Sequence, residues 1–356
     1  MGGGRWNSST YSMRSASKIK EHGTAMAYSH TIRSTKPPSE WRAHESLDPK
    51  RKNNNGPFEG MITREAADSE EHPNSTPIAV IFDVTGSMGS IPTVLQKKLP
   101  SLHGLLMRKG YVEDPQILFG AVGDAHTDHV PLQIGQFESD NTSDENLENI
   151  LLEGHGGGGN HESYELAAYF MANHTHLDSF EKRGKKGYLF LIGDERIYDR
   201  VNRSQVARLI DDDHKLEADP TTEEVFAKLK EKYHVFFLFA VQGTYNESDV
   251  LPKEAANSGG WGGGAMGWQP LLGENAIPLD DANAVCETIG LALGMMEGTV
   301  SLEDGLEDLR EVSGDEEAIR SAEKALATVG AGAISTTEAS GDLPEDDEGV
   351  AGSERL

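Results

Sequence analysis

Cysteine is almost missing: Cys286 stands alone in 356 residues, so no internal disulfide is available, and a zinc site would have to be built mostly from His and carboxylates. Long apolar runs are missing too. The strongest, Val235 to Val241, falls far short of the roughly 20 residues that span a bilayer, which argues against a transmembrane helix. The opening MGGGRWNSST has no apolar core of a secretory signal, and Trp6 stands where an N-myristoylation motif wants Ser or Thr. Positive charge is scarce: 32 Lys and Arg face 59 Asp and Glu, a net charge of −27. Such a surface repels phosphate backbones and anionic lipid, so neither nucleic acid nor a membrane is an expected partner, whereas divalent cations suit it. These features lead us to expect a cytoplasmic protein.

Hydrophobic residues make up 37 %, low for a chain that is globular throughout, and the distribution of charge shows which parts are poor in core. Residues 1 to 60 carry ten Lys and Arg against five Asp and Glu, while residues 299 to 356 carry four against sixteen. Three parts are expected: an irregular polar and basic arm over 1–75, a folded domain over 76–298, and an acidic, disordered tail over 299–356. Within the tail, Glu316 to Thr328 is expected to form no more than a transient helix. Trp6, Tyr11, Tyr28, Trp41 and Phe58 are too many aromatics for a linker, so parts of the arm are expected to pack on the domain.

Over 76–298 short apolar runs alternate with amphipathic helical segments, the pattern of βαβ units. Ile78–Phe82, Gln116–Val122, Tyr188–Ile192 and Val235–Val241 read as strands buried on both faces. Pro131–Phe137 follows the second strand after a short loop, which favours an antiparallel edge strand over a crossover, and Pro278–Leu279 starts a last one. The expected fold is α/β: a doubly wound, mostly parallel sheet of six strands with one antiparallel edge strand. Helices are expected over Asn146–Leu152, along the stripe Tyr164, Ala167, Ala168, Met171, over Thr221–Lys232, and along Val285, Thr288, Ile289, Ala292.

The most informative stretch is Asp83-Val84-Thr85-Gly86-Ser87-Met88-Gly89, directly after the first strand. In an open α/β sheet this is the crevice at the carboxyl ends of the strands, where ligands bind. An Asp with hydroxyls two and four residues on aims three hard oxygens at one place, a donor set that suits Mg²⁺; the alternative is a helix N-cap. Gly193-Asp194-Glu195 ends a second buried strand that would lie beside the first. The loop Gly154-His155-Gly156-Gly157-Gly158-Gly159-Asn160-His161-Glu162-Ser163 opens a helix, and its four consecutive glycines let backbone approach an ion or ligand closely. No Gly-Lys-Ser/Thr follows them, which argues against a P-loop.

On these residues the sequence resembles a von Willebrand factor A (vWA) domain carrying a metal-ion-dependent adhesion site, over roughly residues 76 to 298. The resemblance implies that Asp83, Thr85, Ser87 and Asp194 are metal ligands for Mg²⁺, or alternatively Mn²⁺. Where the family has a middle-loop Thr this chain has Asn160, with Glu162 and Ser163 as neighbours able to serve. Gly123-Asp124-Ala125-His126 with Pro131 to Glu138 is similar to a subgroup of bacterial and phage vWA proteins. The implied function is non-enzymatic: a protein partner offers an acidic residue to the ion, and an AAA+ ATPase of the MoxR type is one such partner. A rival reading is a Mg²⁺-dependent hydrolase using Asp83, Asp194 and Glu162, with a histidine as acid or base.

Weaker signals remain. Asp124, His126, Asp128 and His129 form either a second metal site or, as expected, a solvated polar turn. His155 and His161 flank the glycines without a visible set of co-ligands. Trp261 and Trp268 sit in SGGWGGGAMGW and either form a contact surface or fold back onto the domain.

Overall fold

The computed structural model describes residues 4–88, 91–154, 161–211, 216–241, 243, 245–252 and 265–327, the side chains of Ser87 and Pro100 excepted. Its strands are β1 (Arg64–Ala66), β2 (Thr76–Asp83), β3 (Pro115–Val122), β4 (Leu132–Ile134), β5 (His161–Glu162), β6 (Thr175–Leu177), β7 (Gly187–Gly193), β8 (Arg196–Tyr198), β9 (Tyr233–Ala240), β10 (Ala265–Met266) and β11 (Ala276–Leu279). Its helices are α1 (Ser8–His22), α2 (Ala27–Thr35), α3 (Ile91–His103), α4 (Thr142–Glu148), α5 (Tyr164–Asn173), α6 (Asp178–Arg183), α7 (Arg203–Leu209), α8 (Thr222–Lys232), α9 (Glu247–Val250), α10 (Gln269–Leu272), α11 (Val285–Met296), α12 (Leu302–Val312) and α13 (Glu316–Ala327). None of them is long and apolar enough to cross a membrane.

Six strands form the central sheet in the order β11-β9-β7-β2-β3-β4, every pair parallel except β3 with β4. All six expected strands are present, and the edge strand is antiparallel as its short loop implied. Alternation along each strand splits the core in two. On one face Ile78, Val80 and Phe82 of β2 join Tyr188, Phe190 and Ile192 of β7 under α3 and α11. On the other, Ala79 and Ile81 join Leu189, Leu191, Phe237 and Phe239 under α5 and α8. α8 begins with Thr221 as a capping box, its hydroxyl accepting the Glu224 N–H while the Glu224 carboxylate accepts the Thr221 N–H.

The sequence reading needs correction in three places. α4 covers Thr142–Glu148 rather than 146–152. The arm is not irregular throughout, since α1 and α2 lie in it. α1 docks through polar groups: Gln96 Nε2 donates to the Tyr11 hydroxyl and to Ser15 Oγ, both at 2.8 Å. Arg14 pairs with Asp144 and Glu145, and Lys18 Nζ lies 2.6 Å from Glu148. The arm's positive charge thus meets the domain's own acids. Farther on, the fully buried Arg64 donates to the carbonyls of Asp48, Arg51 and Ile134 at 2.7, 3.0 and 3.3 Å, and the Leu47 carbonyl accepts the Ile134 N–H, so the arm covers the β4 edge.

The third correction concerns the tail. α12 and α13 are packed helices: Leu306 and Leu309, then Ala318, Ile319, Ala322, Ala325 and Leu326, are buried in the α3 and α11 core. The folded unit therefore runs to about Ala327, and residues 328–356 of the expected tail lie outside the described residues. Replacing Ile319 by Ala should cost about 2–5 kcal/mol in urea unfolding, as for other buried large-to-small changes; a loss within about 0.5 kcal/mol would mean α13 is not part of the core.

Candidate functional site

β2 and β7 are adjacent and parallel, with Phe82 opposite Ile192, so the residues that follow them emerge at the same carboxyl edge of the sheet. Asp83 is fully buried there. Its Oδ1 accepts the Thr85 N–H at 2.7 Å and the Thr85 hydroxyl also donates to it, while Oδ2 has no hydrogen-bond partner among the described residues. The 3₁₀ turn Gly86–Met88 follows, and α3 runs from Ile91. Asp194, also fully buried, follows Gly193. Gly243, just past β9, lies against it so tightly that a Cβ would overlap the Asp194 carboxylate.

A small second sheet, which the sequence reading did not foresee, completes the edge. β5 pairs in parallel with β8, and β8 pairs antiparallel with β10. This sheet holds Glu162 beside the strand ends, 2 % exposed and with Oε2 unpartnered. Two-residue strands leave no periodicity in a sequence, which is why they were missed.

Two further groups join the cluster. Glu195 is buried with Oε2 unpartnered. The Tyr164 hydroxyl, also unpartnered, packs against Gly193, where a Cβ would overlap it. By sequence pattern Tyr164 belongs only to the apolar stripe of α5. Its place at the helix start directly after the glycine loop was the available signal, as was the adjacency of Glu195 to Asp194.

So many carboxyl groups in one dry place disfavour ionisation. Burial pushes the Asp83 carboxyl up to about 7, with Asp194 and Asp128 adding repulsion against the relief given by the Thr85 donors. Burial first, then Asp83 and Asp194, pushes Glu195 up to about 9. Glu162 is raised by burial, then by Asp83 and Glu195, and the Tyr164 phenol is raised by burial and all four carboxylates.

The other expected ligands divide. Ser87 stands in the 3₁₀ turn Gly86–Met88, with its side chain outside the described residues, as are Asn160 and His155. The glycine loop reaches the Asp83 turn at its first residue, where the Gly154 N–H donates to the Val84 carbonyl at 3.2 Å. Ser163 Oγ accepts the Ala125 N–H at 2.9 Å, so this hydroxyl holds the hairpin loop. His161 is buried and stacked on Tyr198. The hairpin loop is a self-bonded polar turn: Asp128 Oδ2 accepts the Asp124 N–H at 2.8 Å, Asp124 Oδ1 accepts the His126 N–H at 3.0 Å, and His126 and His129 are exposed. Among the described residues no three His, Cys, Asp or Glu side chains are gathered so as to hold one metal ion.

Trp268 settles one alternative. It is fully buried, stacked on Phe237 at 3.7 Å between centroids, with Nε1 donating to the Glu195 carbonyl at 2.9 Å. It folds back and buttresses the acidic edge; it is not a contact surface. Trp261 lies outside the described residues.

No protein-family model matches the sequence, and no curated protein matches it. Among solved structures the chain is similar to the pilus adhesin SpaC from Lactobacillus rhamnosus GG in its open conformation, at 10 % identity and TM-score 0.38 over 67 % of this chain and 30 % of the adhesin. The chain thus spans less than a third of the adhesin's length. It is similar to BatB from Bacteroides thetaiotaomicron, at 11 % identity and TM-score 0.35 over 63 % of this chain and 100 % of that one. An aerotolerance-related membrane protein from Bacteroides fragilis is similar at 14 % identity and TM-score 0.33, over 62 % and 99 %. Likenesses of this size carry no argument about function.

Two outcomes are expected from this geometry. Trp268→Ala should destabilise the chain by about 3–5 kcal/mol, the usual cost of truncating a buried aromatic, read by urea unfolding. The second concerns pH. Asp83 and Asp128 have folded pKa values of about 7, above the ordinary carboxyl range, so between about pH 4 and 7 the folded state holds protons that the unfolded state has released. Stability in EDTA should therefore fall as pH rises through that window, with a further fall towards pH 9 from Glu195. Asp83→Asn should flatten the drop between pH 5 and 8; an unchanged slope would mean Asp83 is ionised throughout.

Proposed function

We propose that this chain is a vWA-type interaction module that binds Mg²⁺ at the carboxyl edge of its sheet and through it an acidic residue of a partner protein. The observation that carries the reading is the buried Asp83 carboxylate, whose Oδ2 lacks a partner and which lies in the repulsive field of Asp194. A cation there would satisfy the oxygen and remove the repulsion at once. The donor chemistry fits: Asp83, Asp194 and the Thr85 and Ser87 hydroxyls are hard oxygens of the kind Mg²⁺ takes, with few carboxylates among them. For the middle-loop position we keep Asn160, which stands where the family's Thr would, with Glu162 as the neighbour able to serve, since Ser163 Oγ is engaged by the Ala125 N–H. When bound, the ion supplies an electron-poor centre for an external carboxylate; the chain's residues bury it and hold it at the edge.

The hydrolase reading asks Asp83, Asp194 and Glu162 to close on one ion. Turnover of a generic phosphoester by wild type, lost in Asp83→Asn, would favour this reading over the hydroxyl-rich binding site. An AAA+ ATPase of the MoxR type remains the partner class we propose from the vWA resemblance.

Calorimetric titration of Mg²⁺ and Mn²⁺ into metal-stripped protein tests the site. Binding with a rise in Tm is expected for wild type and neither for Asp83→Asn, and capture of a partner from lysate should be lost in EDTA. Equal behaviour of wild type and variant would overturn metal binding at Asp83, and full partner affinity in excess EDTA would overturn the bridge.

A further inference from the structure

Beside the acidic edge, but separate from it, lies a cavity of about 90 Å³ lined by residues that include His126, Glu165, Tyr198, Asp199, Arg200 and Asp219. Its volume equals roughly three waters at about 30 Å³ each. The notable group is Glu165 in the first turn of α5. It is 1 % exposed, and its Oε2 has no hydrogen-bond partner among the described residues. The carboxylate is not a stray charge in an apolar core, because its own N–H and the Tyr198 N–H donate to it. Burial nevertheless holds this carboxyl well above the ordinary range, with Asp124 and Asp199 adding repulsion that the two donors offset only in part, so a cation in the cavity is what would favour its ionised form.

The remaining charges sort themselves. Asp219 accepts the Arg203 N–H at 3.1 Å and lies 3.7 Å from the Arg203 guanidinium, so its charge is answered. Arg200 Nη1 donates to the Asp219 main-chain carbonyl at 3.1 Å and is exposed, which places this cation at the rim. Glu165 and the half-buried Asp199 are left as the acceptors. Tyr198 supplies a rigid aromatic wall. Its hydroxyl donates to Asp124 at 3.1 Å, and its ring lies 5.1 Å from that of His126 and 5.2 Å from that of His161.

We propose that this cavity binds the ammonium head of an alkyl amine, with Glu165 and Asp199 as hydrogen-bond acceptors and the Tyr198 ring as its apolar wall. A divalent metal is disfavoured because Asp219 is engaged by Arg203, which leaves only Glu165 and Asp199 to offer carboxylate oxygens and no hydroxyl set like that at the Asp83 turn. A guanidinium is disfavoured because its planar fork seeks two open oxygens of one carboxylate, and Glu165 has one unmet. An ammonium is compact, brings three separately directed donors, and gains from an aromatic face. The site does not depend on the metal reading, since it shares none of the proposed ligands.

The test is calorimetric titration of n-butylamine and of Nα-acetyl-lysine methylamide into the full chain with Mg²⁺ present and 0.15 M NaCl, with 1-butanol as the uncharged counterpart. The salt suppresses diffuse attraction to the acidic surface. Saturable one-to-one binding of the amines and none of butanol is expected, weakened at least about tenfold in Glu165→Gln and several-fold in Asp199→Asn. Tighter binding of the lysine derivative would assign the site to a partner's side chain, and tighter binding of butylamine to a small molecule. Either supports the proposal. Absence of saturable binding, or equal affinity in Glu165→Gln, would overturn it and leave Glu165 a neutral buried acid beside water. Should Glu165→Gln fail to fold, unchanged affinity in Asp199→Asn would overturn it equally.

Discussion

The parallel pairing of β2 with β7 is the constraint on which the rest of the edge depends. It brings two strands that each end in a buried aspartate to one side of the sheet. Ionising either in a dry site is costly, and each raises the cost for the other. Nearby donors offset part of this, as the Thr85 N–H and hydroxyl do for Asp83. The unmatched remainder is visible as buried oxygens without partners on Asp83, Glu162 and Glu195. Strain of this kind is kept where the surrounding packing is strong enough to hold it, and here the Trp268 stack on Phe237 supplies such packing.

Around that edge the chain uses two kinds of glue. The sheet faces are buried by aliphatic and aromatic side chains that alternate along each strand. The arm is held instead by hydroxyls, amides and ion pairs: Tyr11, Ser15 and Gln96 in one contact, Arg14 and Lys18 with the α4 acids in another, and Arg64 on three carbonyls in a third. Polar docking explains why the arm's helices escaped notice. With Ser, Tyr and Gln making the contacts, α1 carries almost no apolar stripe to read.

The tail misled for the opposite reason. Its composition is dominated by Glu and Asp, yet Leu302, Leu306 and Leu309 recur at helical spacing, as do Ile319, Ala322 and Leu326. Few apolar residues suffice when all of them fall on one stripe. Average composition hid a pattern that periodicity contained.

The sequence by itself determined the α/β class, the six strands and their mostly parallel order, because strands buried on both faces must be nearly continuous apolar runs joined by helices. It also located Asp83 and Asp194, since each directly follows such a run. Only the tertiary structure decided that Tyr164 and Glu195 share their site, that Trp268 lies inside, and that Glu165 opens on a cavity of its own. Those facts depend on which surfaces meet across long sequence separations and on two-residue strands such as β5 and β10. Local pattern carries no information about either, because burial is a property of the packed whole.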